Sequence, residues 1–254
     1  MTGQRCSPYN RTGEWDSVFV GYSRDGFSWS RPVIDGKHRV FLDMNNDPAP
    51  PWRWNKANVQ SVGGGFLVVD GDEKMDALRF YVGARSGLDQ IIGNATVGFA
   101  TLRRDGFASV EVAPRSAAAT VTTHPVTFSG KHFFVNVGTK AAASDGAGSA
   151  SSSVVVSIVD DATGKPIAPF TTANCVPVAT DSVRQEVTWK GAADLSAVVG
   201  TKVRFVFGLH GAAQLFSFWA SPSKCGESRG YVAAGGRGFT GTTENDEFRF
   251  YHKR

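Results

Sequence analysis

The alternation of apolar and polar positions describes short strands broken by turns, and it is clearest between Ala57 and Val110. Asn58-Val59-Gln60-Ser61-Val62-Gly63-Gly64-Gly65-Phe66-Leu67-Val68-Val69 reads as one strand, and Leu78-Arg79-Phe80-Tyr81-Val82-Gly83-Ala84-Arg85 as the next. A third follows at Ala95-Thr96-Val97-Gly98-Phe99-Ala100-Thr101-Leu102. β-Branched and aromatic residues fill these runs, while Asp70-Gly71-Asp72-Glu73-Lys74, Ser86-Gly87 and Arg103-Arg104-Asp105-Gly106-Phe107 punctuate them. The pattern therefore predicts antiparallel strands over helix. An up-and-down meander of this kind is what one blade of a β-propeller looks like, although a sandwich or a barrel can contain it as well.

Upstream, Trp15-Asp16-Ser17-Val18-Phe19-Val20-Gly21-Tyr22 reads as a strand that enters Ser23-Arg24-Asp25-Gly26-Phe27-Ser28-Trp29. Asp25-Gly26 marks a tight turn, because Asp can hydrogen-bond the backbone ahead of it and Gly accepts positive φ. Trp29 is placed to fold back and clamp that turn. A related unit returns at Arg104-Asp105-Gly106-Phe107, again after a strand. Repeats of this sort point to a propeller or a solenoid. The stretch from Asp35 to Lys56 reads as a long loop, and long loops are often functional. Its Asp43, Asn45, Asn46, Asp47, Trp52, Arg53 and Trp54 suit a sugar, whose C–H faces pack on aromatic rings while carboxylates, amides and guanidinium bond the hydroxyls. The alternative is a solvated connection whose tryptophans cover a blade edge.

After Val110 the texture changes. Ala113 to Ala119 reads as a small-residue linker, which sets three regions: 1–113, 114–225 and a Gly-rich tail over 226–254. The middle region carries strands at Val126–Phe128, His132–Val137, Ser153–Val159, Arg184–Trp189, Lys202–Leu209 and Gln214–Trp219. Several alternate apolar with polar, as half-buried strands of a two-sheet sandwich do. Lys202 and Arg204 against Val203 and Phe205 show it best. Gly138 to Ser153 is Ala/Gly/Ser-rich and reads as a flexible loop.

Composition narrows the chemistry. The 254 residues include 18 Phe and 6 Trp, enough for a sizeable core, and the net charge of +4 is spread along the chain. A nucleic-acid footprint would be a basic patch or stripe, so no nucleic-acid partner is expected. Cys6, Cys175 and Cys225 fit no metal spacing; they are read as free thiols, with a Cys175–Cys225 bridge as the alternative. No metal and no cofactor are expected. The histidines are scattered and suggest no nucleophilic triad, and Gly235, Gly236 and Gly238 lack the strand–helix context of a phosphate loop. No apolar run is long enough for a membrane span. The N-terminus lacks the apolar core of a signal peptide, so location stays open, a secreted or extracellular full-length protein being compatible with the rest.

Several of these motifs together resemble a known group. Ser23-Arg24-Asp25-Gly26-Phe27-Ser28-Trp29, Asn58-Val59-Gln60-Ser61 with its glycines, and Phe99-Ala100-Thr101-Leu102-Arg103-Arg104-Asp105-Gly106-Phe107 resemble five-bladed propeller proteins related to glycoside hydrolase families 32 and 43. Lys165-Pro166-Ile167, Asp181-Ser182-Val183-Arg184, Val187-Thr188-Trp189-Lys190-Gly191 and Gly200-Thr201-Lys202-Val203-Arg204-Phe205 look like the β-sandwich that trails the propeller in that group. The likeness covers roughly residues 15–235. It implies an all-β chain: about one and a half blades of a five-bladed β-propeller, followed by a β-sandwich. The region before Ala113 is too short for five blades, so the missing N-terminal blades would be supplied in cis, or their place taken by self-association. An open propeller would otherwise expose strand edges. Ser23-x-Asp25-Gly26-x-x-Trp29 is also similar to the Asp box of sialidases, one residue shorter between Asp and Trp. Asp boxes are structural, and Asp25 and Asp105 are accordingly read as turn formers.

What the resemblance implies for function is a carbohydrate-directed protein acting on an oligo- or polysaccharide. In the complete protein the expected reaction is hydrolysis of O-glycosidic bonds by paired carboxylates, one of them a general acid. The alternative is a non-catalytic carbohydrate-binding or degenerate module. Asp16 and Asp47 are the catalytic candidates. Asp16 can equally be a strand-entry residue, and Asp47, in Asn45-Asn46-Asp47-Pro48, lacks the Asn-Gly that follows the family 32 motif and lies in the wrong blade. The binding candidates are Trp54, Asn58 and Gln60, with Arg85 on the next strand; backbone bonding for Asn58 and Gln60, and a surface ion pair for Arg85, are the alternatives.

Overall fold

A computed structural model describes residues 17–23, 26–34, 36–38, 40–43, 58–69, 77–86, 94–113, 116–139 and 152–226. Within them the chain is all-β, with 14 strands in five sheets and no helix. It divides into two units between Leu102 and Arg103.

The first unit is built on β5 (Asn58–Val69), β6 (Ala77–Ser86) and β7 (Asn94–Arg103), in the spatial order β5-β6-β7. This is the three-stranded meander the sequence predicts, found at nearly the predicted bounds. β6 alternates sharply: Leu78, Phe80, Val82 and Ala84 are buried, while Tyr81 faces out. Val59, Leu78, Phe80 and Val82 form the core of this unit, with Val18, Phe41, Leu42, Val62, Ala100 and Leu102 packed against them. Val18 and Leu42 belong to a short ribbon of β1 (Val18–Phe19) and β4 (Val40–Leu42), which covers the buried face. A second ribbon joins β2 (Val33–Ile34) to β3 (Lys37–His38). The stretch from Asp35 to Lys56 thus is not all loop, since β3 and β4 lie in it; its later part, 44–56, falls outside the described residues.

The turn after β1 closes as the sequence predicts. Tyr22 and Ser30 exchange backbone hydrogen bonds of 2.8 and 2.9 Å. Gly26 sits at φ +80°, a conformation that side-chain-bearing residues rarely adopt, and its N–H donates to Ser23 Oγ at 2.8 Å. Trp29 clamps the turn by donating from Nε1 to the Gly26 carbonyl at 3.1 Å.

The second unit holds two sheets. One runs β12-β10-β14-β8 and the other β11-β13-β9. The first comprises β8 (Val110–Glu111), β10 (His132–Thr139), β12 (Ser182–Val187) and β14 (Ala213–Ser221); the second comprises β9 (Ala118–Thr122), β11 (Ser153–Asp160) and β13 (Val203–His210). Two of these strands begin where the sequence reads a boundary or linker: β8 at Val110, and β9 at Ala118. Conversely, Val126–Phe128 forms only an isolated bridge, Val126 to Val203.

The two sheets share one apolar core. Phe133, Val135 and Leu215 come from one side, and Val154, Val156, Ile158, Phe205, Phe207 and Leu209 from the other. Phe133 stacks on Phe205 with ring centroids 4.4 Å apart. Trp189 reaches into this core and donates Nε1–H to the Val156 carbonyl at 2.8 Å, so its one polar atom is satisfied. Cys175 and Cys225 are both free thiols, the former buried and the latter exposed, so no bridge joins them. Burial pushes the Cys175 thiol above its ordinary value, against a weaker opposing hydrogen bond from the Val156 N–H.

Candidate functional site

The sequence candidates meet the structure unevenly. Asp16, Asp47 and Trp54 lie outside the described residues, as do Cys6, Asp25 and the tail from 227. Asn58 and Arg85 are brought together: they stand directly opposite each other in the antiparallel pairing of β5 with β6. Gln60 falls where that pairing slips, since Val59 opposes Ala84 and Ser61 opposes Gly83, leaving one extra residue on β5. A bulge of this type re-aims the side chains around it. A second slip lies between Val62, opposite Val82, and Phe66, opposite Phe80, and it takes in Gly63-Gly64-Gly65.

Asp105 behaves as a turn former: it adopts φ +55°, and the Gly106 N–H donates to the Arg103 carbonyl at 2.8 Å. The Asp105 carboxylate accepts from Ser217 Oγ at 2.9 Å and so ties the turn to β14. Arg103 sits beside it at the centre of a polar cluster. Its Nε donates to Asn136 Oδ1 at 2.7 Å, Nη2 to the Val137 carbonyl at 2.7 Å and Nη1 to Asp181 Oδ1 at 2.5 Å. Fully buried Asn136 returns a hydrogen bond to the Arg104 carbonyl at 2.6 Å. Every arm of this cluster ends on protein, which makes it a staple and not a binding site.

The open face of the β5-β6-β7 sheet is different. The residues on β6 that alternate with the buried ones, Arg79 and Tyr81, lie on the face away from the core. Phe99 on β7 joins them, because the Arg79 guanidinium carbon lies 4.5 Å from its ring centroid. Tyr81 is 53% exposed and Phe99 55%, and Leu67, the β5 partner of Arg79, is 54% exposed. Val97, also on β7, is 79% exposed. Two aromatic rings and a cation thus occupy one unburied sheet face. Arg79 and Tyr81 belong to no motif in the sequence, although the alternation Leu78-Arg79-Phe80-Tyr81-Val82 already separates them from the core set.

Among the described carboxylates, three are displaced from their ordinary titration, all downward and all in the second unit. Thr163 holds Asp160 low by donating from both Oγ1 and N at 2.8 Å. Lys202, then Arg204, does so for Asp161, at 3.1 and 2.8 Å. Ser196 does so for Asp194. Stabilised anions of this kind fit loop and strand-end structure; a general acid needs the opposite shift. No group of histidine, cysteine and carboxylate side chains among the described residues has the makings of a metal site. Among the described residues no helix is long and apolar enough to cross a membrane. No family model, curated protein or solved structure matches this chain.

Proposed function

We propose that the chain is carbohydrate-directed: the last part of a glycosidase-like propeller, about one and a half blades, trailed by a β-sandwich. The observation that carries the reading is the open face of the meander, where Tyr81 and Phe99 offer exposed rings. Exposed rings pack against pyranose C–H surfaces, and Asn58 and Arg85 supply hydrogen-bonding residue types at the strand ends of the same sheet. The up-and-down order of β5, β6 and β7 supports the blade, and the single core shared by two antiparallel sheets supports the sandwich.

In this reading hydrolysis belongs to the complete propeller, through paired carboxylates for which Asp16 and Asp47 are the candidates within this chain. A second reading is a binding module without turnover, which the exposed rings of the open face serve equally well. A glycan-array screen run beside hydrolysis assays on aryl glycosides tests both. Binding that Tyr81→Ala or Trp54→Ala abolishes, with no turnover, is the outcome expected of the binding module. Turnover lost on changing Asp16 or Asp47 would place catalysis within these residues. A folded sample that binds no glycan would sink the carbohydrate reading altogether.

A further inference from the structure

Among the described residues of the first unit, Arg79 carries a buried donor without a partner. Its guanidinium is half-buried over the Phe99 ring, and its Nε is shielded from solvent with no hydrogen-bond partner. Among the described residues no carboxylate, carbonyl or hydroxyl accepts from its other nitrogens either. Buried donors left unpaired are costly, and each one in a native protein asks for an explanation. The packing also restricts the side chain: the guanidinium carbon sits over the Phe99 ring, and Leu67 stands opposite on β5. What remains is a pre-ordered fork of terminal N–H donors on an open face, next to the exposed Tyr81 ring. A planar fork of this kind matches an oxyanion with two parallel hydrogen bonds.

We infer that the open face of the β5-β6-β7 sheet selects an acidic saccharide, with Arg79 gripping its carboxylate or sulfate oxyanion while Tyr81 lies against the sugar ring. The inference rests on the carbohydrate reading above and narrows its ligand class. Phe99 holds the guanidinium in place, and the remainder of its exposed ring stays open to the sugar.

The test is calorimetric titration of the whole chain with oligogalacturonate, its fully methyl-esterified form and a sulfated dextran oligosaccharide. Sodium acetate and sodium sulfate serve as bare-anion controls. The expected result is binding of one acidic oligomer at least about 10-fold tighter than the ester, weakened by added salt. Arg79→Gln should erase that preference, a loss of about 10- to 100-fold on the acidic ligand alone, and Arg79→Lys should restore only part of it. Near-ultraviolet circular dichroism identifies any variant that has lost its fold, and Arg79→Lys then carries the comparison. Equal affinity for acid and ester would overturn the acidic class and leave the carbohydrate reading standing. A folded chain that binds no oligosaccharide would overturn both. Competition by acetate or sulfate as effective as the oligomer would make the site one for bare anions. A dimer in sedimentation that Tyr81→Ala dissolves would assign the face to a second copy of the chain; either result defeats the proposal.

Discussion

Arg103 donates to three partners that differ greatly in worth. Asp181 is half-exposed, so its ion pair with Arg103 is screened and contributes well under about 1 kcal/mol. Asn136 is fully buried, and an orphaned amide there costs about 1–3 kcal/mol. Arg103→Ala is therefore expected to lower stability by about 2 kcal/mol, and Asp181→Asn by less than about 1, in urea melts. Equal losses would show that the ion pair, not the buried amide, matters. The depressed aspartates give a pH dependence whose sign is fixed. Asp160, Asp161 and Asp194 bind protons less readily folded than unfolded. Their contribution is full above the unfolded value of about 3.9 and is lost as pH falls through the lower folded values. Urea midpoints should accordingly drop as the medium is acidified from about pH 5 toward pH 3, and Asp161→Asn should flatten the decline. A midpoint that rises on acidification would contradict the assignment.

At the scale of strands, Gly130 shows how tightly one backbone can be laid on another. A Cβ there would lie 2.6 Å from the Ala220 carbonyl carbon and 2.7 Å from the Ser221 nitrogen, backbone atoms that cannot step aside. Gly65, in β5, has open space at the same position. Gly130→Ala should cost about 1–3 kcal/mol and Gly65→Ala under about 0.5 in denaturant titrations; similar values for both would refute the close approach. Strand legibility followed the same local–distant divide. Val203 to His210 alternates buried with half-buried along its whole length, and that period is written in Val203-Arg204-Phe205-Val206. β10 is buried on both faces, which the run Phe133-Phe134-Val135 hints at, but Asn136 in its midst does not. What satisfies the buried Asn136 amide oxygen is Arg103, at the end of β7 far back in the chain, and no local pattern carries that information. β8 and β9 escaped for a related reason: Val110–Glu111 is too short for a period, and Ala118-Ala119 has the composition of a linker. The site divided likewise. Asn58 and Arg85 were legible as candidates and do face each other in register, whereas the Arg79–Phe99 contact depends on how β6 and β7 are laid side by side.

Among the described residues the two units differ in their cores. The core of the second gathers aromatic and branched residues from both sheets, with Phe133, Phe205 and Phe207 at its centre. That of the first rests on Val59, Leu78, Phe80 and Val82 and a few half-buried neighbours. Local opening follows the density of buried contacts. Hydrogen exchange should find the slowest amides in β10, β11 and β13, and markedly faster exchange in β5, β6 and β7. Uniform protection would mean that the chain opens as one cooperative body. All-β character was legible at this scale, because turn residues and short apolar runs recur throughout; the five-sheet arrangement was not, because it depends on pairings between distant strands.

The staple at Arg103 also decides where the gene can be divided. A recombinant fragment that begins at residue 103 keeps the guanidinium for Asn136 and keeps β8 on the edge of its sheet. One that begins at 114, in the alanine-rich stretch that looks like the natural seam, gives up both. It strips Leu215 and Gln214 of their strand partner and leaves a buried amide facing emptied space. The longer fragment should express as a soluble, cooperatively melting protein and the shorter should precipitate, so the stretch that looks most dispensable stands downstream of a residue its neighbour needs in order to fold.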